Sequence, residues 1–202
     1  MRFTNFALAA FTIGSAVAAP AKHDARALEI LGTALTTVSG VQQTVQGELA
    51  SIEKLITVSV NATTLVPQLE ASLGSIAGEV TKILGSVTPL VSQDVPALVG
   101  DELANVPVLL NNVLSIANGV QTTAQHIVSG VSGDALTAVK PELQLVLSAV
   151  QPIAKPVITF ALSAVSGVVG DVSTEVNGLV GDLNNVLGGL LAPVGGILGS
   201  IL

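Results

Sequence analysis

Residues 66–90, VPQLEASLGSIAGEVTKILGSVTPL, carry the apolar pattern that decides the fold. The apolar residues recur in alternating steps of three and four, which places them along one side of an α-helix. They are Val66, Leu69, Leu73, Ile76, Val80, Ile83, Val87 and Leu90. The remaining residues are mostly small, with Glu70, Glu79 and Lys82 as the charged ones. This stretch therefore predicts a helix with a strongly apolar face and a weakly polar one.

The other segments of the chain repeat this pattern. Three- and four-residue steps predict a first helix over residues 26–60 and, after the helix described above, a third that begins near Asp94. A fourth helix is expected from Asp134, after the turn Gly-Val-Ser-Gly at 130–133, and a fifth up to residue 202. No segment alternates with a period of two, so no sheet is expected. Because each helix must bury its apolar face, we expect an all-α bundle of four to five amphipathic helices.

Proline and glycine interrupt the predicted helices. Pro107 should kink or break the third helix, and Pro152 and Pro156 should bend the fourth or divide it into two shorter ones. A glycine in a helix interior costs about 1 kcal/mol relative to alanine. The many small residues are expected to let helix backbones approach closely, and Gly74 and Gly78 have the spacing found in closely packed helices.

Composition excludes several classes of function. Only 10% of the 202 residues are charged, against about 25% in a typical soluble domain, and the net charge is -7. Nucleic-acid binding is not expected, because the lysines are scattered and form no basic patch. The chain has no Cys, which excludes disulfides and thiol chemistry.

The N-terminus predicts secretion. Arg2, an apolar stretch over residues 6–17 and the small residues before position 19 form a signal peptide over residues 1–18, with cleavage after Ala18. Residues 19–25 are expected to be a disordered leader, and residues 26–202 a single helical domain. The protein is then secreted, extracellular or in the cell wall, and Asn61, in the sequon Asn-Ala-Thr, is expected to be glycosylated.

Catalytic and metal-binding motifs are missing from the sequence. There is no nucleophile elbow, no phosphate-binding glycine loop and no cluster of His and acidic residues. His126 has no acidic residue nearby in sequence, and a surface histidine is the simplest interpretation. The acidic pair Asp101 and Glu102 is most simply explained by the dipole of a helix N-terminus. We therefore expect no enzyme activity, no metal and no cofactor.

What remains is a large apolar helical surface with little charge to cover it. An inert bundle with all apolar faces buried is one interpretation; apolar faces that line a lipid cavity or open onto a surface are the other. We expect a non-enzymatic protein that binds hydrophobic surfaces, fatty acids or other lipids, including peripheral association with a membrane or interface. The oligomeric state is left open. The expected contact residues are Leu73, Ile76, Val80, Ile83, Ile116, Val150 and Phe160.

An alternative is a structural cell-wall protein held by a GPI anchor. Asn177 or Gly178 would be the anchor site, and residues from about 178 would be removed, with the uncharged residues 186–202 as the apolar tail. The intervening spacer is short and apolar, and the tail keeps the helical pattern of the preceding segment. Both features weigh against an anchor.

The chain also resembles a protein family. The end of its signal, Ala-Val-Ala-Ala-Pro at 16–20, precedes Cys-free helices with apolar rows such as Leu28, Leu31, Leu35 and Val38. This resembles small secreted fungal proteins, in particular the hydrophobic surface-binding protein A and cell-wall galactomannoprotein family. The resemblance implies a helical bundle, secretion to the medium or cell wall, mannosylation, and binding to hydrophobic surfaces or fatty acids.

Overall fold

The computed structural model describes residues 22–58, 61–91, 98, 100–131 and 133–199, and within these ranges the side chains from Glu29 to Leu190. The described residues form five α-helices and no strand. The helices are α1 (Lys22–Thr57), α2 (Ala62–Val91), α3 (Asp101–Gly130), α4 (Gly133–Ala164) and α5 (Asp171–Gly199). The prediction of an all-α bundle is confirmed.

Four of the helices close into a ring around the core. Helix α1 packs against α2 and α3, and α4 packs against the same two helices, with α2 and α4 forming the most extensive interface. Among the described residues, no contact joins α1 to α4 or α2 to α3, so these pairs lie across the ring from each other. Helix α5 lies outside the ring, where it packs on α3 and less extensively on α4.

The direction of the helices follows from contacts between side chains. Gln46 contacts Ser115, and seven residues later Glu53 contacts His126, so α1 and α3 run parallel. Ser75 reaches back to Glu48, which agrees with an antiparallel α1–α2 pair. Helix α2 is therefore antiparallel to α3, which lies across the ring from it.

The apolar face of α2 is buried almost as its sequence predicts. Seven of its eight predicted residues are buried, but Val66 is only half-buried and the neighbouring Leu65 takes its place in the core. Burial of a Leu or Ile side chain contributes roughly 1.5–3 kcal/mol. The α2 face therefore stabilises the ring on both sides, towards α1 and towards α4.

The prolines do not divide the helices. Helix α3 continues through Pro107, and α4 continues through Pro141, Pro152 and Pro156. The predictions of a break at Pro107 and of two shorter helices in α4 are therefore wrong, while a bend in α4 stays a prediction. Each proline removes one backbone hydrogen bond, but the flanking turns are held by burial, since Ile153 and Val157 are completely buried.

Two helix starts differ from the sequence predictions. Helix α1 begins at Lys22, so the last four residues of the predicted disordered leader 19–25 are helical; this part contains alanine and no glycine or proline. Helix α3 begins at Asp101 and not near Asp94, because Gly100, at φ +55°, interrupts the helical backbone.

The predicted signal peptide lies outside the described residues. The predicted turn at 130–133 lies where α3 ends, at Gly130, and α4 begins, at Gly133.

Most helical glycines face open space rather than a neighbouring helix. A Cβ atom added at Gly40, Gly74 or Gly78 would meet no other atom within 4 Å. The expectation that these glycines bring helices together is therefore wrong. Close approach occurs instead at Gly119 and Gly130, whose added Cβ atoms would lie 2.7 Å from Leu49 Cδ1 and 2.6 Å from Ile56 Cγ2 respectively.

The exposed glycines lower the stability of the helices without a packing gain. We therefore expect Gly40→Ala and Gly78→Ala each to raise the free energy of unfolding by about 0.5–1 kcal/mol, because alanine restricts the unfolded chain and meets no clash. Urea unfolding followed by circular dichroism measures this change. Gly100→Ala is the control, and it should lower the free energy of unfolding, because alanine is strained at the φ of +55° that Gly100 adopts. A loss of stability in both helical variants would contradict the prediction.

Candidate functional site

The seven predicted contact residues lie together in the core of the ring. They come from α2 (Leu73, Ile76, Val80 and Ile83), α3 (Ile116) and α4 (Val150 and Phe160), and all belong to one hydrophobic cluster. The most exposed of them, Phe160, keeps only 5% of its accessible surface. In the closed bundle these side chains are buried, so they reach an external surface only when helices separate.

The core is held almost entirely by aliphatic side chains. Among the described residues, Phe160 is its one aromatic side chain and Thr123 the one buried polar residue. Aliphatic burial is non-directional and roughly proportional to the apolar area removed from water. Separation of the helices therefore breaks few specific bonds, and its main cost is exposure of apolar surface to water.

Helix α3 carries a second apolar row that the sequence prediction missed. The row advances in steps of 4, 3, 4, 3 and 4, and we call it the second row of α3. Its members are Leu103, Pro107, Leu110, Leu114 and Ala117, and the polar Gln121 continues the row at the same spacing. Leu110 and Leu114 are buried, and Gln121 lies directly against Gly189 of α5. The second row is therefore the surface that α5 covers.

The signal for this row is present in the sequence. The predicted face of α3 includes Leu109, Val113 and Ile116, and the second row runs beside it with the same spacing. Two adjacent apolar rows indicate a helix that packs on two sides. In this bundle one row faces the ring interior and the other faces α5.

Helix α5 is amphipathic and lies on α3 through its own apolar row. Val176, Val180, Leu183 and Leu190 are buried. The opposite side is exposed and carries glycine, asparagine and acidic residues: Glu175, Asn177, Gly178, Gly181, Asp182, Asn184, Asn185 and Gly188. The contact between α5 and the ring is therefore apolar on both sides.

Few charged contacts hold the helices together. Of the two ion pairs among the described residues, Lys82–Glu79 lies within α2, and His126–Glu53 joins α3 to α1. His126 Nδ1 lies 2.8 Å from the Glu53 carboxylate, and the His126 side chain is 53% exposed. Exposed pairs of this kind contribute about 0.2–1 kcal/mol. His126 is thus a surface histidine, as expected, with an acidic partner 73 residues away in sequence.

Other polar groups do not assemble into a reactive site. No group of three or more His, Cys, Asp or Glu residues in the described part of the chain is placed to hold a metal ion. Within the same part, Oε2 of Glu142 is buried without a hydrogen-bond partner. The acidic residues Asp101 and Glu102 occupy the first turn of α3, as the helix-dipole interpretation predicts.

Asn61 caps α2 and is exposed. Its Oδ1 accepts a hydrogen bond of 3.3 Å from the backbone N–H of Thr63, and its carbonyl oxygen accepts one of 2.9 Å from the N–H of Thr64. Asn61 is therefore the N-cap of α2. A glycan attaches to Nδ2, so the Oδ1 contact is compatible with the predicted glycosylation.

Exposed apolar side chains occur at separate places on the outside of the bundle. They include Val108 on α3, Leu145 and Leu162 on α4, and Val169 in the α4–α5 link, which is 98% exposed. By length and composition, α3 and α4 could also cross a membrane, with mean hydropathies of 1.3 and 1.6 in their most apolar windows. In this structure both are core helices of the bundle.

Comparison with family models, curated proteins and solved structures finds no match. The family resemblance inferred from the sequence therefore stays a prediction.

We expect Ile83→Ala to lower the free energy of unfolding by about 2–5 kcal/mol, because it leaves a cavity in the core. Leu145→Ala, on the exposed side of α4, is the matched control and should change this value by less than about 0.5 kcal/mol. Denaturant unfolding measures both. A neutral Ile83→Ala variant would mean that this side chain is not part of the core in solution.

Proposed function

We propose that this is a secreted, non-enzymatic protein that binds hydrophobic surfaces or lipids through the apolar faces of its helices. The observation that carries the proposal is an almost purely aliphatic core in a bundle with few polar contacts between helices. Binding then consists of opening the bundle, so that the apolar faces exchange contact with each other for contact with an apolar phase.

The free energies of closed and opened forms support this exchange. In water, separation of the helices exposes apolar side chains, which costs about 25 cal/mol of free energy for each Å² of apolar surface. At an oil or lipid surface the same side chains are buried again, and the polar outer faces stay in water. Few directional bonds have to be replaced, because Thr123 is the one buried polar residue in the described core.

The exposed glycines also favour an adaptable bundle. Gly32, Gly40 and Gly47 lie on the outside of α1, and α2 and α5 carry further glycines on their exposed sides. A glycine-containing helix has low intrinsic stability and depends on its apolar contacts for order. Such helices keep their structure wherever an apolar partner is present, whether this partner is the core or an external surface.

The alternative of a GPI-anchored wall protein is less well supported. The proposed anchor site, Asn177 or Gly178, lies inside the continuous helix α5. Removal of the residues beyond it would take away Val180, Leu183 and Leu190, which cover the ring. Retention of α5 is the simpler proposal.

Surface binding is tested with delipidated protein on polystyrene and on hexadecane droplets, and with a fluorescent fatty acid in solution. We expect adsorption with retained helical circular dichroism, because the helices keep their structure at the surface. The combined variant Gly40→Ala, Gly74→Ala, Gly78→Ala should adsorb more slowly, since a more stable bundle opens less often. Wild-type protein that binds none of the three probes would refute the proposed function.

The two C-terminal alternatives differ in mass. We expect intact mass spectrometry of the secreted protein to show a chain that begins at Ala19, retains α5 and carries glycan mass removable at Asn61. Asn61→Gln is the control for the glycan. A C-terminus near residue 178 with an attached glycolipid would support the anchor instead.

A further inference from the structure

We infer that α5 leaves the bundle first, and that α5 and the second row of α3 together form the surface that contacts an uncharged apolar phase, such as an oil or a neutral lipid. This inference rests on the proposed function and extends it by naming the moving segment and the chemical class of the partner. Four features of the structure lead to it.

The ring of α1 to α4 is closed without α5. Each ring helix has two ring neighbours, and α5 contacts only α3 and α4 among the described residues. Departure of α5 therefore leaves all four ring interfaces in place. Opening any ring helix instead would separate two ring interfaces, and for α2 or α4 these include the extensive α2–α4 interface.

The link between α4 and α5 has the properties of a hinge. It contains Gly167 at φ +84° and Gly170 at φ +135°, conformations that glycine adopts without strain. Two glycines allow large changes of backbone angle at either end of the link. Val169 between them is 98% exposed, so it contributes nothing to the closed bundle and is free to enter an apolar phase.

The surfaces that α5 and α3 bury against each other are matched and apolar. Leu110 and Leu114 lie on the same face of α3 as Gln121, which contacts Gly189 of α5, so we expect departure of α5 to expose this face. Val180 and Leu183 of α5, which are buried in the closed bundle, would be exposed at the same time. Among the described side chains of α5, Thr174 and Asn177 donate hydrogen bonds to the backbone carbonyl oxygens of Gly170 and Ser173, near the start of the helix, and not to the ring.

The charges on this side of the molecule specify the partner. Neither α3 nor α5 contains Lys or Arg, and their charged residues are Asp101, Glu102, Asp171, Glu175 and Asp182. An anionic lipid surface attracts basic residues and repels acidic ones. The surface formed by α5 and α3 therefore fits an uncharged phase and disfavours an anionic membrane.

The moving segment is tested by linking α5 to α3. The chain has no Cys, so Gln121→Cys with Gly189→Cys introduces one defined pair at two positions in direct contact, which a short bis-maleimide joins. The matched control is Gln46→Cys with Ser115→Cys, an exposed contact of 3.2 Å between α1 and α3. Both double variants without the linker report whether the substitutions themselves alter folding or adsorption.

The inference predicts that linking α5 abolishes adsorption to triolein droplets, while linking α1 to α3 leaves initial adsorption unchanged. If neither linked protein adsorbs, the ring must open first; this result overturns the inference but leaves the proposed function standing. If both linked proteins adsorb, the inference is also overturned. No adsorption by the unlinked wild-type protein refutes the proposed function itself. Hydrogen exchange in solution gives a second readout, with faster exchange expected in α5 than in α2.

The partner class is tested with triolein droplets coated with phosphatidylcholine alone or mixed with phosphatidylglycerol. Adsorption should fall as the anionic lipid increases, and added salt should restore it. The variant Glu175→Lys, Asp182→Lys, changed at two exposed positions of α5, should lose this dependence. Stronger wild-type adsorption to the anionic droplets would overturn the assignment to an uncharged phase.

Discussion

Burial of aliphatic side chains is the interaction on which the whole structure depends. The described core is made of Val, Leu, Ile and Ala, apart from the aromatic Phe160 and the polar Thr123. Such contacts stabilise in proportion to area but specify relative positions only weakly. Shape must then supply the register between helices, as where Leu49 of α1 lies against Gly119 of α3 and Ile56 against Gly130. The polar contacts between Gln46 and Ser115, and between Glu53 and His126, lie along the same α1–α3 interface and agree with that register.

The outer surface of the bundle is as informative as its core. A charged outer surface keeps a protein in water, whereas here small uncharged residues cover much of α1, α2 and α5. Several are glycines with no neighbouring atom to accommodate, so close packing does not explain them. Helices of this kind are stabilised mainly by apolar contacts. Their stability depends on exclusion of water by the contacting phase more than on what that phase is. This property connects the fold with the proposed function, since the core and an oil surface are equivalent surroundings for the same side chains.

The sequence predicts a large part of this fold because apolar periodicity is a local property. The faces of α2 and α4 and the turn at 130–133 follow from it directly. Periodicity shows which side of a helix is buried but not which helix covers it, so the two-sided packing of α3 and the peripheral place of α5 were not predicted. The His126–Glu53 contact was missed for the same reason, because it depends on the parallel alignment of α1 and α3. The start of α3 depends on one backbone angle at Gly100, which composition does not determine. The seven expected contact residues were correctly recognised as apolar face residues, and their place inside the ring could only come from the assembled helices.

The ring consists of two antiparallel hairpins, α1–α2 and α3–α4. The interfaces between the hairpins are the parallel pairs α1–α3 and α2–α4. Separating the two hairpins and laying them side by side breaks both parallel interfaces at once and leaves each hairpin intact. All four apolar faces then point to the same side, as a single sheet of helices one helix thick. The topology of the ring therefore allows a flat layer in which no helix unfolds and no chain segment reverses direction.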